Sequence, residues 1–352
     1  MDVEDGRSRL GGPPDRRRRV RRSSVGRQVA EQRLGQRLCA GAVLAAVLAA
    51  TGPAAAQSGE EAPLVIGSGA VLGLYFPVAG ALASLADHGN VLVESTGGSL
   101  ENLVRLRQGD LDMAVVRSDL AYEAALGLDA FSIDEPYGEL RTVMTLHPEP
   151  LLIIASADSG IRSLDDVDGQ RIQLGEPGSA TAELFELVLG TQQWPEERFV
   201  VADPVPLAEQ TDGLCAGDFD MMAFISGAPS GTVYEALSRC GAHLVSVEGT
   251  GIDTLLLDHP ALVEVTVPPG RFPGVDRPVH AVGPVALLVT TAAEPEERVA
   301  NFVTAVVEDL PRLRAQHPSL ADLDIHWLAT AAHVVPLHDG AAAAYEALGA
   351  DE

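Results

Sequence analysis

Lysine is absent from the 352 residues: all 24 basic side chains are Arg. Chemistry that runs through a Schiff-base or phosphate-binding Lys is thereby excluded. Cysteine is scarce, three residues in all, and no Cys-x-x-Cys pair occurs. Nor does the chain contain a G-x-S-x-G elbow, an H-E-x-x-H pair or an Asp-rich calcium loop, so the commonest hydrolytic and metal chemistries have no motif. Cations are few beside the 50 acids, and the formal net charge is −26. That balance argues against nucleic acid or an anionic membrane surface as a main partner. What the chain has is apolar content, 46%, too much for disorder to be the whole answer. Its length allows two or three domains at roughly 100–200 residues each.

The charge is unevenly spread. Eleven of the Arg residues lie between Arg7 and Arg37, ahead of an apolar run from Leu38 to Ala50, the break Thr51-Gly52-Pro53 and the small residues Ala54 to Ala56. A cationic region, a short apolar stretch and an A-x-A site make a secretory signal, predicted to be cleaved after Ala56. The apolar run is short for a membrane span; an uncleaved N-terminal anchor is the alternative. Loss of residues 1–56 leaves 45 acids against 13 Arg, and two cysteines, Cys215 and Cys240. In an oxidising compartment these two either form a disulfide across neighbouring strands or remain buried thiols.

From Leu64 a short apolar run, a Gly/Ser/Thr turn and a stretch of helical apolar spacing recur in order. Such alternation predicts βαβ units and α/β lobes with mostly parallel sheets flanked by helices. The paired prolines of His147-Pro148-Glu149-Pro150 forbid helix between two predicted strands, 141–146 and 151–156, and suit a hinge. Downstream, a buried strand is expected over 285–290 and helices over 295–316 and 320–331.

Five strand-to-helix junctions, 67–73, 95–99, 117–119, 175–181 and 226–231, carry Gly with Ser or Thr. At the carboxyl ends of parallel strands, helix N-termini offer unpaired N–H groups, which predicts a polar cleft preferring an anionic group. Each Ser or Thr there either caps its helix or points at a ligand. A dinucleotide reading of Gly67-Ser68-Gly69, Gly73 and Glu94 departs from the usual spacing and sits badly with a secretory signal. His333 and His338 straddle Pro336 at poor spacing for joint metal ligation.

The motifs Gly67-Ser68-Gly69 through Tyr75-Phe76-Pro77, Glu94-Ser95-Thr96-Gly97-Gly98-Ser99 with Glu101-Asn102, and Gly109 to Ala114 running to Ser118-Asp119 occur in order. They continue through Pro148-Glu149-Pro150, Ala157 to Ile161, Gly175 to Thr181, Pro229-Ser230-Gly231, Phe272-Pro273-Gly274 and Pro336-Leu337-His338 with Gly340. In these, residues 64–352 resemble the TAXI-family solute-binding proteins of tripartite ATP-independent periplasmic (TRAP) transporters. The resemblance implies a type II periplasmic-binding fold of two lobes, 60–150 with 246–352 and 151–245, closing on a small solute. It also implies delivery to a TRAP membrane permease driven by an ion gradient, and solutes that are carboxylates or amino acids such as glutamate. The chain departs from the family pattern at Arg117, at His147 and at Ala180.

The expectation is therefore an exported, periplasmic, monomeric receptor, not an enzyme, needing no cofactor, metal or catalytic residue. A periplasmic ligand sensor acting on a membrane sensor kinase, and an enzyme on the same fold, are the rival readings. Candidate ligand contacts are Ser68, Gly69, Tyr75, Thr96, Gly97, Asn102, Arg117, Ser118, Gly178, Ser179 and Thr181. For Arg117 two roles stand open, a fork on a solute carboxylate or an ion pair with Asp119 or Glu149. Tyr75 is equally suited to core packing, and Asn102 to steadying its loop.

Overall fold

The computed structural model describes residues 62–86, 90–132, 135–192 and 198–350. The predicted signal segment, with cleavage expected after Ala56, lies outside them. Among the described residues no helix is long and apolar enough to cross a membrane.

In chain order the elements are β1 (Leu64–Gly67), α1 (Tyr75–Ala86), β2 (Val91–Glu94), α2 (Ser99–Gln108), β3 (Met113–Arg117), α3 (Ser118–Leu126), β4 (Leu140–Pro148) and β5 (Leu151–Ala155). Then come β6 (Arg171–Gln173), α4 (Ala180–Gly190), β7 (Val200–Val201), α5 (Leu207–Ala216), β8 (Met221–Ile225), α6 (Gly231–Cys240) and β9 (His243–Val245). The chain closes with α7 (Thr250–Asp258), β10 (Leu262–Val267), β11 (Val279–Thr291), α8 (Glu296–Glu308), α9 (Leu310–Gln316), α10 (Ile325–Thr330) and α11 (Asp339–Ala347).

These strands make two sheets. One runs β10-β11-β3-β1-β2 with β4 also paired to β11; the other runs β7-β6-β8-β5-β9. The α/β architecture of two sheets flanked by helices is the one the sequence predicts. The sheets are mixed, however: β1 pairs parallel with β2 and β3, whereas β11 is antiparallel to β3, β4 and β10, and β5 is antiparallel to β8 and β9. β10 and β11 are joined by residues 268–278 with no helix between them, and parallel pairing needs a longer crossover, usually a helix.

Each sheet is covered on both faces, which is why its central strands read as unbroken apolar runs. Met113 and Val115 of β3 enter one core while Ala114 and Val116 enter the core on the opposite face. In β5, Leu151, Ile153 and Ala155 face one side and Leu152 and Ile154 the other. At roughly 1.5–3 kcal/mol for each fully buried large aliphatic side chain, these strands anchor the fold. The single helix expected over 295–316 is two: Asp309 interrupts it, and Pro311, which cannot donate to a preceding carbonyl, sits in the first turn of α9. The helix expected over 320–331 is confined to α10, capped by the Asp324 carboxylate, which accepts from Trp327 N–H at 2.7 Å.

Cys215 and Cys240 are bonded in the structure, with Cα atoms 5.3 Å apart. They join helices α5 and α6, not neighbouring strands.

Candidate functional site

The loops that follow β1, β2 and β3 hold one another through their small polar side chains. Ser68 Oγ donates to the Glu94 carbonyl at 2.6 Å. The Ser68 carbonyl in turn accepts from Thr96 Oγ1 at 3.0 Å and from Asn102 Nδ2 at 2.7 Å, and Asn102 Nδ2 also reaches the Val115 carbonyl. Ser118 Oγ donates to the Ala261 carbonyl at 2.7 Å and accepts from Val285 N–H at 2.9 Å, tying α3 to the strand pair β10-β11. Ser68, Thr96, Asn102 and Ser118 are all buried. Their hydroxyls and the Asn102 amide nitrogen are engaged within the protein and shape the loops, whereas Asn102 Oδ1 has no hydrogen-bond partner. Gly97 N–H is taken by the Glu101 carboxylate at 2.8 Å, an anion of the chain's own at the start of α2.

Backbone donors remain. Gly69 and Gly178 N–H make no hydrogen bond among the described residues. Gly178 has φ 75°, a left-handed conformation that suits glycine, and it lies in the turn that leads into α4.

Tyr75 opens α1, and its hydroxyl donates to Glu149 Oε2 at 3.0 Å. Burial, then the Glu149 carboxylate, holds the phenol pKa well above its ordinary value, against the opposing pull of Arg117 and Ser99. The ring meets His147 edge-on at a centroid distance of 6.2 Å. His147 is fully buried, and neither of its ring nitrogens has a hydrogen-bond partner.

Arg117 ends β3 as expected. Of the two roles left open for it, the structure places its guanidinium fork on Asp119: Nε to Oδ1 at 3.0 Å and Nη2 to Oδ2. Burial works against the guanidinium charge, and Asp119 outweighs it, raising the pKa above the usual value with smaller help from Tyr75 and Glu149. On the next turn of α3, burial with the charges of Asp119 and Asp129 pushes Glu123 up to about 7, and Glu183 of α4 adds to that repulsion. Glu123 of α3 and Glu183 of α4 thus repel each other.

The loops of the second sheet are similarly braced. Ser179 caps α4, accepting from Ala182 N–H at 3.2 Å, and Thr181 Oγ1 accepts from Ile225 N–H at 3.4 Å. The two sets of loops meet at Gly227, immediately after β8. A Cβ built there would lie 2.4 Å from Leu74 Cδ2 and 3.0 Å from His147 Cδ2. A pocket of about 210 Å³ beside the β4-β5 link is lined by Pro148, Pro150, Ala228, Arg271 and Trp327 among others, and by none of the candidate contacts.

Four residues of this site fall outside the candidates read from the sequence: Ser99, His147, Glu149 and Gly227. The sequence marked each in another capacity: Ser99 and Gly227 lie in the junctions 95–99 and 226–231, His147 departs from the family pattern, and Glu149 stands in the Pro-Glu-Pro hinge as a possible partner of Arg117.

A family model described as the NMT1-like family matches residues 66–349. The chain belongs to the NMT1-like family. Solved structures similar to this NMT1-like chain include a TctC solute-binding protein from Polaromonas, 15% identical with TM-score 0.47, covering 74% of this chain and 86% of that one. MatC from Rhodopseudomonas palustris with bound malate is 17% identical with TM-score 0.45, covering 73% and 88%. The periplasmic aliphatic sulphonate-binding protein SsuA from Escherichia coli is 14% identical with TM-score 0.44, covering 82% and 90%. Identities this low say nothing of what the NMT1-like chain binds.

Proposed function

We propose that this NMT1-like chain is an exported, non-enzymatic receptor that closes on a small solute and hands it to a membrane permease of the TRAP type. Its two lobes are 60–150 with 246–352 and 151–245, and its solute is an anionic carboxylate or an amino acid such as glutamate. The observation that carries this reading is the meeting of loops from both sheets at Gly227, Leu74 and His147, next to the β4-β5 link. Ligands of open α/β sheets sit beyond the carboxyl ends of parallel strands, where Gly69 and Gly178 hold unspent N–H groups. Of the candidate contacts, Gly69, Tyr75 and Gly178 are the ones best placed to serve a solute. Ser68, Thr96, Gly97, Asn102, Ser118, Ser179 and Thr181 brace the loops, and Arg117 acts through its pair with Asp119.

Closure is tested at Gly227. Gly227→Val adds a branched side chain where Leu74 and the buried His147 ring already stand, and such overpacking costs about 1–3 kcal/mol. The cost falls on the closed form, so solute affinity measured by calorimetry is expected to drop about tenfold or more with the melting temperature little changed. Affinity within twofold of the parent would show that Gly227 does not lie on the closing surface.

A further inference from the structure

We infer that the pocket beside the β4-β5 link is a second binding site, and that its ligand is a small uncharged ring bearing a hydroxyl. The site stands apart from the solute cleft of the receptor reading, and its test does not depend on that reading.

Alternate residues of the link serve the two places. His147 and Glu149 meet Tyr75, whereas Pro148 and Pro150 line the pocket, as the period-two alternation of extended backbone requires. The other walls include Val267 of β10, Leu323 and Trp327 at the start of α10, and Ala228 from the loop after β8. The indole N–H of Trp327 is already taken by the Leu146 carbonyl at 2.6 Å, so this side chain offers the pocket apolar surface alone. Proline rings, branched aliphatics and an indole suit a flat apolar body. An apolar cavity of about 150 Å³ holds benzene; at about 210 Å³ this one accommodates a ring with a short substituent.

The charged side chains of the wall already have partners. Arg271 donates to Asp322 Oδ2 at 2.7 Å and to the Pro318 carbonyl at 3.2 Å, and Glu264 Oε1 lies 3.3 Å from His280 Nδ1. A charged ligand would give up hydration and have to displace one of these neighbours. One polar group of the wall lacks a partner. Ser319 Oγ, in the turn between α9 and α10, is buried and makes no hydrogen bond, and such an orphan is costly. A ligand hydroxyl both donates and accepts, so it can satisfy Ser319 while the ring lies against Trp327 and the prolines.

The test uses the full exported chain and three probes of one size followed by fluorine NMR: 4-fluorobenzyl alcohol, 4-fluorobenzylamine and 4-fluorobenzoate. The alcohol should bind saturably with a Kd of about 1 mM or lower, within reach of so small a ligand, and each charged analogue about tenfold more weakly or worse. In a Trp194→Phe variant Trp327 is the sole indole, and its fluorescence should titrate with the same Kd. Thr266→Trp, which places a large side chain in the pocket from an exposed position on β10, should weaken the alcohol about tenfold or more, while Tyr75→Phe, at the other set of link residues, should leave it within about twofold. Absence of saturable binding below about 10 mM, equal affinity for the amine or the benzoate, or a Trp327 signal unmoved by the alcohol would overturn the assignment. Binding that Tyr75→Phe weakens and Thr266→Trp leaves intact would do the same.

Discussion

Gly283→Ala is expected to cost about 3 kcal/mol of folding stability or more, seen as a lowered urea midpoint at unchanged slope. Gly283 lies in β11, where that strand passes the β4-β5 link. A Cβ there would stand 2.4 Å from the Glu149 carbonyl oxygen and 2.7 Å from Pro150 Cα. Both neighbours are backbone, held by the prolines on either side of Glu149 and by Glu149 N–H donating to the Pro284 carbonyl at 2.8 Å. No rotamer change relieves such a contact, so a strand must move. The movement would be felt at Glu149 and along the β4-β5 link. Gly80→Ala is the matched control: Gly80 sits inside α1 with nothing within 4 Å of the added carbon, and it should gain about 0.5–1 kcal/mol. A Gly283→Ala loss below about 1 kcal/mol would mean that the β11 crossing is looser than described.

Breaking the Cys215–Cys240 bond is expected to cost roughly 3–4 kcal/mol, the loop-closure entropy released by freeing a cross-link across 25 residues. The loop it closes runs from α5 through β8 to the end of α6. It therefore contains the central strand of the second sheet and Gly227. Urea unfolding of the parent should show this loss on adding reductant, and a Cys215→Ser, Cys240→Ser double variant should show the same loss relative to the oxidised parent. A difference under about 1 kcal/mol in both would mean that the cross-link closes a loop already ordered in the unfolded chain.

The strands and helices of both sheets were legible wherever burial on two faces made the code simple. Leu64 to Gly67, Met113 to Arg117 and Leu151 to Ala155 are apolar runs ended by Gly, polar or charged residues, and no other element suits them. The antiparallel strands β10 and β11 were harder to read. β10, Leu262–Val267, is partly exposed along most of its length, and the apolar run in β11 begins at Val285 although the strand begins at Val279. Its first half carries His280 and Gly283, which no periodicity marks as strand. The junction loops were legible as loops, while the division of labour within them was not. A Ser that caps, a Ser that braces and a Ser that meets a ligand look alike in sequence. Only the partners distinguish them, as with Ser68 on Glu94 and Ser118 on Ala261. Arg117 shows the same limit, because its choice between a solute and Asp119 depends on a helix turn that brings the acid within reach. Glu149 entered only as a hinge residue and a possible partner of Arg117, one acid among the 45 that follow residue 56. Burial, not residue type, singles it out.

The central claim is that this NMT1-like chain binds one small solute and transforms nothing. Native mass spectrometry of the protein isolated gently from its own export compartment tests it most directly. The account predicts one small molecule per chain, bearing a carboxylate, released unchanged on denaturation. A bound nucleotide or other cofactor, or a solute that turns over on incubation, would contradict it.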